Sequence, residues 1–361
     1  MMLSYIRKAA YGAFIVAPSL RPLCWLWLLS AVQFGTIPGF GFGQEVVPPA
    51  QDRVHYGAAL PRSTNVWNAT PAIIVTGHIE QLDSVSLEMT TVAGERRKMP
   101  SDRIERIDVA WDNNEASAAH RRYTDQQYLL ALKENDEVLH SGRIPKWQQC
   151  ILLAELVEAA RAVDRAEIAG ELFLVLTQQS PPDFLWATIP LNWTSEESSP
   201  AMDKASRVWL AKPDDTAALI GASWLLMSDE AEAAKKRLQA IVAGPSKRLQ
   251  RLATMQLWRA VPPAETSGNT ERWLAARETL LLPLQLGPTE FLADRFARTG
   301  KTDLAAGEWL RIAASHSQYP RRALSALSNA DKRFAQADDR DASERVAKWM
   351  QELGQPVGHY K

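Results

Sequence analysis

Acidic residues are missing from the first 43 positions of this chain, whereas Arg7, Lys8 and Arg21 make the segment basic. An apolar run of 15 residues follows these bases at positions 23–37. A membrane-spanning helix needs about 20 apolar residues, so this run is short for one. A basic region followed by a short apolar core is typical of an export signal.

The end of the same segment has the small side chains that signal peptidases recognise. Gly41 and Gly43 follow the apolar run, and Gln44 opens a polar chain. We therefore predict that residues 1–43 are a signal peptide cut between Gly43 and Gln44, which places the mature protein in the periplasm or cell envelope. If the signal stays uncut, the same segment anchors the protein in the membrane.

Cysteine is nearly absent, with only Cys24 and Cys150 in the sequence. Cys24 lies within the signal segment, so cleavage leaves one cysteine and excludes an intramolecular disulfide. The stability of an exported chain must then come from packing alone. Cys150 precedes Ile151 on the apolar side of a predicted helix, which favours a buried small hydrophobe over a nucleophile.

Motifs for metal, cofactor and catalytic sites are absent as well. No two of the six histidines are three to five positions apart, and there is no cysteine pair, Gly-x-Ser-x-Gly elbow or Gly-rich phosphate loop. These absences predict a protein that is not an enzyme and that binds no cofactor or metal. An enzyme whose site is assembled from scattered residues remains an alternative.

The charge balance does not favour nucleic acid. The net charge of −1 becomes −4 when the three bases of the signal segment are removed, and such a chain does not attract polyanions. Five bases crowd positions 96–106, but Glu95, Asp102, Glu105 and Asp108 interleave with them. We interpret this cluster as a solvated strand edge.

The pattern changes along the mature chain. Residues 44–71 contain Pro48-Pro49 and several turn formers, which predicts a linker. Residues 72–111 alternate apolar and polar side chains, as in Val85, Leu87 and Met89, which predicts antiparallel strands at 72–80, 84–91, 95–99 and 105–110. This segment resembles part of an Sm-like or SH3-like small barrel, in which a Met-Pro, Ser-Asp-Arg-Ile, Ile-x-Val end recurs.

Residues 112–361 have helical periodicity almost throughout. Short breaks at Pro or Gly separate the predicted helices. Besides a first long helix from Ala116 onward, these cover 149–161, 164–178, 201–211, 214–227, 229–243, 247–260, 270–282, 288–299, 302–315, 320–335 and 339–353. The stretch 181–200 is predicted to be irregular.

Several small and apolar residues recur in one phase of these helices. Ala169, Phe173 and Pro181 have the order and spacing of the second helix of a tetratricopeptide repeat, and Leu156 and Ala160 fit the helix before it. The same phase recurs at Ala234, Leu238, Gly300, Ala306 and Leu310. The chain thus resembles exported bacterial tetratricopeptide-like proteins, which implies a mainly α fold: a helix-pair α-solenoid preceded by a small antiparallel β-barrel-like module.

Tryptophan recurs at a similar interval. Trp147, Trp186, Trp224 and Trp258 are 34 to 39 positions apart, and Trp273, Trp309 and Trp349 continue the series. One interpretation is a row of aromatic anchors along a groove. We favour the other, in which each ring fills the core between successive helix pairs.

Helix-pair arrays expose long grooves suited to extended peptides. The expected function is therefore that of a non-catalytic scaffold or adaptor that binds a protein partner in the cell envelope. It would contact the membrane only through an uncut signal. The alternative binding function is that the β module binds a peptide or glycan and the helices support it.

Overall fold

A computed structural model describes residues 51–57, 73–194 and 198–354. The predicted signal peptide and its cleavage site at Gly43 and Gln44 lie outside the described residues. All described residues belong to one compact unit, which begins at Gln51.

Five antiparallel strands form one sheet at the start of this unit. They are β1 (Asp52–Tyr56), β2 (Ile73–Leu82), β3 (Ser86–Thr91), β4 (Arg96–Pro100) and β5 (Ile104–Asp108). Their order is β4-β3-β2-β1-β5. Alternate side chains such as Ile79, Leu87 and Met89 are buried on one face. The four strands predicted within 72–110 are confirmed.

Strand β1 lies in the predicted linker 44–71, so the linker prediction is wrong at residues 52–56. The strand is short and its centre is Val54, a fully buried residue. Buried Asp52 fixes its start, because its carboxylate accepts hydrogen bonds from the Ile79 and Ala110 amides, each at 2.9 Å. These bonds join β1 to β2 and to the chain that leaves β5.

The rest of the described chain is mostly helical. Its α-helices are α1 (Asn114–Thr124), α2 (Tyr128–Ser141), α3 (Lys146–Ala162), α4 (Ala166–Gln178), α5 (Pro200–Leu210), α6 (Asp215–Leu225), α7 (Ala231–Val242), α8 (Lys247–Leu257), α9 (Thr266–Glu278), α10 (Leu286–Arg298), α11 (Thr302–Ser315), α12 (Pro320–Gln336) and α13 (Arg340–Gly354). The expectation of a mainly α protein with a small antiparallel sheet is confirmed.

Local capping explains where several helices begin. The side chains of Asn113, Ser199, Asp214 and Ser246 each accept a hydrogen bond from the amide three residues later. This bond satisfies an amide that has no partner within the helix. The starts of α1, α5, α6 and α8 are therefore encoded locally.

Consecutive helices pack against each other within three runs, α1 to α4, α5 to α8 and α10 to α13. Long-range contacts also bring α3 against the start of α12. The Arg321 Nη1 atom donates a hydrogen bond of 2.9 Å to the carbonyl of Arg161, 160 positions earlier in the chain. The early and late helices therefore meet.

The segment 181–193, predicted to be irregular, is nearly all buried. It contains the 3₁₀ helix Asp183–Thr188, which contacts β5 and the 3₁₀ helix Leu282–Gln285. Its apolar side chains, including Phe184, Leu185 and Trp186, account for the burial. This segment is irregular in backbone but forms part of the core.

The core-filling interpretation of tryptophan is confirmed for most of the series. No more than 8% of the surface is exposed in Trp147, Trp186, Trp224, Trp258, Trp273 and Trp309. Trp273 is completely buried and stacks on Trp258, with ring centroids 5.6 Å apart. These rings therefore stabilise contacts between helices.

Candidate functional site

A cavity of about 320 Å³ lies where the early and late helices meet, and we call it the central recess. It is lined by Tyr123, Tyr128, Glu158, Arg161, Trp193, Thr194, Glu290, Asp294, Trp309, Tyr319, Arg321, Arg322, Ser325 and Asn329. Three of these residues are acidic and three are arginines, so the formal charges of the lining balance.

Helical spacing places the polar side chains on the recess walls. Glu290 and Asp294 are one turn apart on α10, and Ser325 and Asn329 are one turn apart on α12. No described residue forms a hydrogen bond with the side chain of Ser325 or Asn329. Both are therefore available to a ligand.

Arg322 is the most strongly paired residue of the recess. Its Nε and Nη2 atoms donate to the two carboxylate oxygens of Glu290 at 2.8 and 2.6 Å, which is a bidentate pair. Its Nη1 lies 3.5 Å from Glu158 Oε1. Burial by itself would lower the pKa of Arg322, but attraction to these two carboxylates raises it further above its usual value.

Glu158 and Arg161 are less well satisfied. Only 8% of the Glu158 side chain is exposed, yet its contacts with Arg161 and Arg322 are both 3.5 Å long and both involve Oε1. The Arg161 Nη1 atom is buried and forms no hydrogen bond with any described residue. A donor and an acceptor thus lie side by side without good partners, and such groups gain free energy when a ligand satisfies them.

The tyrosines at this site stay protonated near neutral pH. Burial, together with the nearby charge of Glu158, raises the pKa of Tyr123 and of Tyr319 well above the usual value. A general acid or base works best when its pKa lies near the working pH. The shifts move these tyrosines, like Arg322, away from that range, which favours binding over proton transfer.

A second, smaller cavity of about 90 Å³ lies between the sheet and the loop before α12. His316 lines it with 2% of its surface exposed. Burial, reinforced by the charges of Arg322, Arg311 and Arg277, lowers the pKa of His316 to about 3. The imidazole is therefore neutral at physiological pH.

The residues predicted to pack the repeats lie in the helical core and do not line the recess. At most 2% of the surface is exposed in Leu156, Ala160, Ala169, Phe173, Ala234, Leu238 and Ala306. Pro181 is also buried and Leu310 is partly buried against two core clusters.

Gly300 is the exception, because it is exposed rather than packed. It follows α10 with a φ of +75°, the left-handed conformation in which glycine commonly ends a helix. Its predicted packing role is therefore wrong, since the residue serves the turn into α11.

Sequence reasoning missed the polar residues of the recess. Glu158 and Arg322 are 164 positions apart, so no local motif relates them. One signal was present: Arg321 and Arg322 follow Pro320 in the first turn of a helix, where the helix dipole disfavours positive charge. Such a placement indicates a tertiary partner for the basic pair.

Cys150 is 4% exposed and burial raises the pKa of its thiol to about 11. The thiolate is the reactive form of cysteine, and little of it exists at neutral pH. The prediction of a buried small hydrophobe is confirmed.

A histidine–carboxylate pair between α1 and α3 should make stability depend on pH. The His120 Nδ1 atom lies 2.6 Å from Glu155 Oε1. Burial by itself would lower the pKa of His120, but the charge and hydrogen bond of Glu155 raise it above its usual value. The pair therefore stabilises the fold fully at a pH below about 6.5, the pKa of His120 in the unfolded chain. This contribution is lost as the pH rises through the higher pKa that His120 has in the folded protein.

We expect the urea concentration at the unfolding midpoint of the wild-type protein to decrease when the pH is raised from about 6 to about 9. The decrease should be smaller in His120→Gln. Urea unfolding at both pH values, followed by circular dichroism, measures the difference. An equal decrease in both proteins would contradict the role of this pair.

No protein-family model matches this chain, and neither curated proteins nor solved structures match it. Its fold is that of a mainly helical protein with one small antiparallel sheet.

Across the described ranges, no helix is long and apolar enough to cross a membrane. In the same ranges, no three His, Cys, Asp or Glu side chains are grouped to hold a metal ion.

Proposed function

We propose that this protein is a non-catalytic exported adaptor, which binds a polypeptide partner of the cell envelope in the central recess. The observation that carries the proposal is the composition of the lining. Eight of its fourteen residues are Tyr, Trp or Arg. These three residue types dominate the binding energy of protein interfaces.

The architecture supports a binding role. Within three runs, consecutive helices pack against each other, which is compatible with a tetratricopeptide-like solenoid, and we propose that the helices form such an array. We also propose that the sheet is a small Sm-like or SH3-like barrel. In support, β4 and β5 are the two edges of the sheet and only the 3₁₀ helix Ser101–Arg103 separates them in the chain.

The proposal is tested by photocrosslinking in the cell envelope of the native host. A photoreactive phenylalanine at Ser325 of the full chain should crosslink a defined protein, because this exposed position lines the recess. The matched control is the same substitution at exposed Lys236 on α7, outside the lining.

A second variant fills the recess. Asn329→Trp should abolish the crosslink from Ser325, since the larger side chain occupies the space that the partner needs, while the circular dichroism spectrum stays unchanged. Crosslinking of the same proteins from Ser325 and Lys236, or an undiminished crosslink in the filled variant, would exclude the recess as the partner site.

A further inference from the structure

We propose that Glu158 and Arg161 in the central recess bind the neutral carboxamide side chain of an Asn or Gln residue of the partner polypeptide. This inference rests on the proposed function and names the chemistry that the site recognises. It follows from the arrangement of Glu158 and Arg161.

The two groups form an adjacent acceptor and donor. Arg161 Nη1 lies 3.5 Å from Glu158 Oε1 and makes no hydrogen bond to any described residue. No described residue donates a hydrogen bond to Glu158 Oε2. A carboxamide has an oxygen that accepts and a nitrogen that donates, so one group can satisfy both: its oxygen accepts from Arg161 and its N–H donates to Glu158.

The same pair disfavours charged ligand groups. A carboxylate that accepts from Arg161 must lie beside the carboxylate of Glu158. An ammonium or guanidinium that donates to Glu158 must lie beside the guanidinium groups of Arg161 and Arg322. Juxtaposed like charges at a desolvated interface repel each other strongly, so a neutral group with both donor and acceptor binds best.

An N-acetylated sugar also contains an amide group, but the burial of the tryptophan rings of the recess disfavours a sugar. Trp193 and Trp309 are only 4% and 8% exposed. These rings therefore present little open face on which a sugar ring can stack. Ser325 and Asn329, which line the wall without hydrogen bonds to described residues, match further polar groups of an extended peptide.

The test uses the purified full chain and pools of capped nonapeptides. The central residue of each pool is fixed as Gln, Asn, Glu, Lys or Leu, and the other positions are random. Fluorescence anisotropy gives the dissociation constant of each pool. We expect the Gln and Asn pools to bind at least about tenfold more tightly than the Glu and Lys pools.

Two variants distinguish recognition from a general loss of structure. Glu158→Gln removes the negative charge of the pair, so the preference should switch from Gln to Glu at the central position. Arg161→Met should instead weaken the discrimination against Lys, because only Arg322 then opposes a cation beside Glu158. The control Glu137→Gln, at an exposed position of α2 that does not line the recess, should keep the wild-type preference.

Four outcomes would overturn the inference. The wild-type protein would contradict it by preferring a charged central residue, or by binding the pools without preference. Competition by N-acetylglucosamine at the concentration of the best pool would also contradict it. So would an unchanged preference in both recess variants when their circular dichroism is native. If no pool binds and Asn329→Trp has no effect on partner crosslinking, the proposed function itself fails. If peptides bind but the Gln and Asn pools are not preferred, carboxamide recognition is excluded while the proposed polypeptide-binding function stands.

Discussion

Arg322→Met should lower the free energy of unfolding by about 3–5 kcal/mol, the usual cost of removing one partner from a buried ion pair. The side chain of Arg322 is only 9% exposed and pairs with Glu290 through two hydrogen bonds. Its removal leaves Glu290 without its cation and Glu158 with Arg161 alone. Urea unfolding at neutral pH, followed by circular dichroism, measures this loss.

A control variant and a double variant make the measurement specific. Arg340→Met removes an arginine that is 87% exposed and pairs only loosely with Asp338, so it should change stability little. Adding Glu290→Gln to Arg322→Met should recover part of the loss, because the unpaired charge is removed as well. A loss below about 1 kcal/mol in Arg322→Met would contradict the buried pairing.

The second large effect is expected for Trp273→Ala, which should cost about 3–5 kcal/mol. Trp273 is completely buried between Trp258 and Phe291, with ring centroids 5.6 and 5.5 Å away. Truncation removes both aromatic contacts and leaves a cavity. The change in free energy is again obtained from urea unfolding.

Trp273→Phe should cost less than Trp273→Ala for two reasons. The phenyl ring retains part of the packing, and the buried indole N–H of Trp273 has no hydrogen-bond partner within the described part of the chain, so its removal loses no bond. Trp349→Ala, at a partly buried position in α13, is the control and should also cost less. Equal costs for all three variants would argue against a central packing role for Trp273.

The helices were predictable because their signals are local. Ser199 followed by Pro200 is a cap and a first-turn proline, and the structure starts α5 there, one residue from the predicted position. The strands from 73 to 108 were predictable because side chains such as Leu87 and Met89 alternate with polar ones. The periodicity of apolar side chains and the capping of helices depend only on residues close together in the sequence.

Strand β1 and the central recess were not predictable in this way. The five residues of β1 contain too little alternation to be separated from a linker, and Asp52 acquires its role only from the distant Ile79 and Ala110 amides. Similarly, the lining of the recess depends on which helices meet. Periodicity fixes the buried face of each helix but not its distant neighbour.

The contact between α3 and α12 has a kinetic consequence for a chain that is made from its N-terminus. An ordinary repeat array can grow one unit at a time, because each unit touches only its neighbours. Here Glu158 has only the nearby Arg161 as a cation until Arg322 is made, 164 residues later. Until α12 emerges from the ribosome, the early half of the domain has a buried-to-be carboxylate whose one cation is Arg161, at 3.5 Å, on a surface that is not yet closed, so the late helices complete the assembly of the early ones.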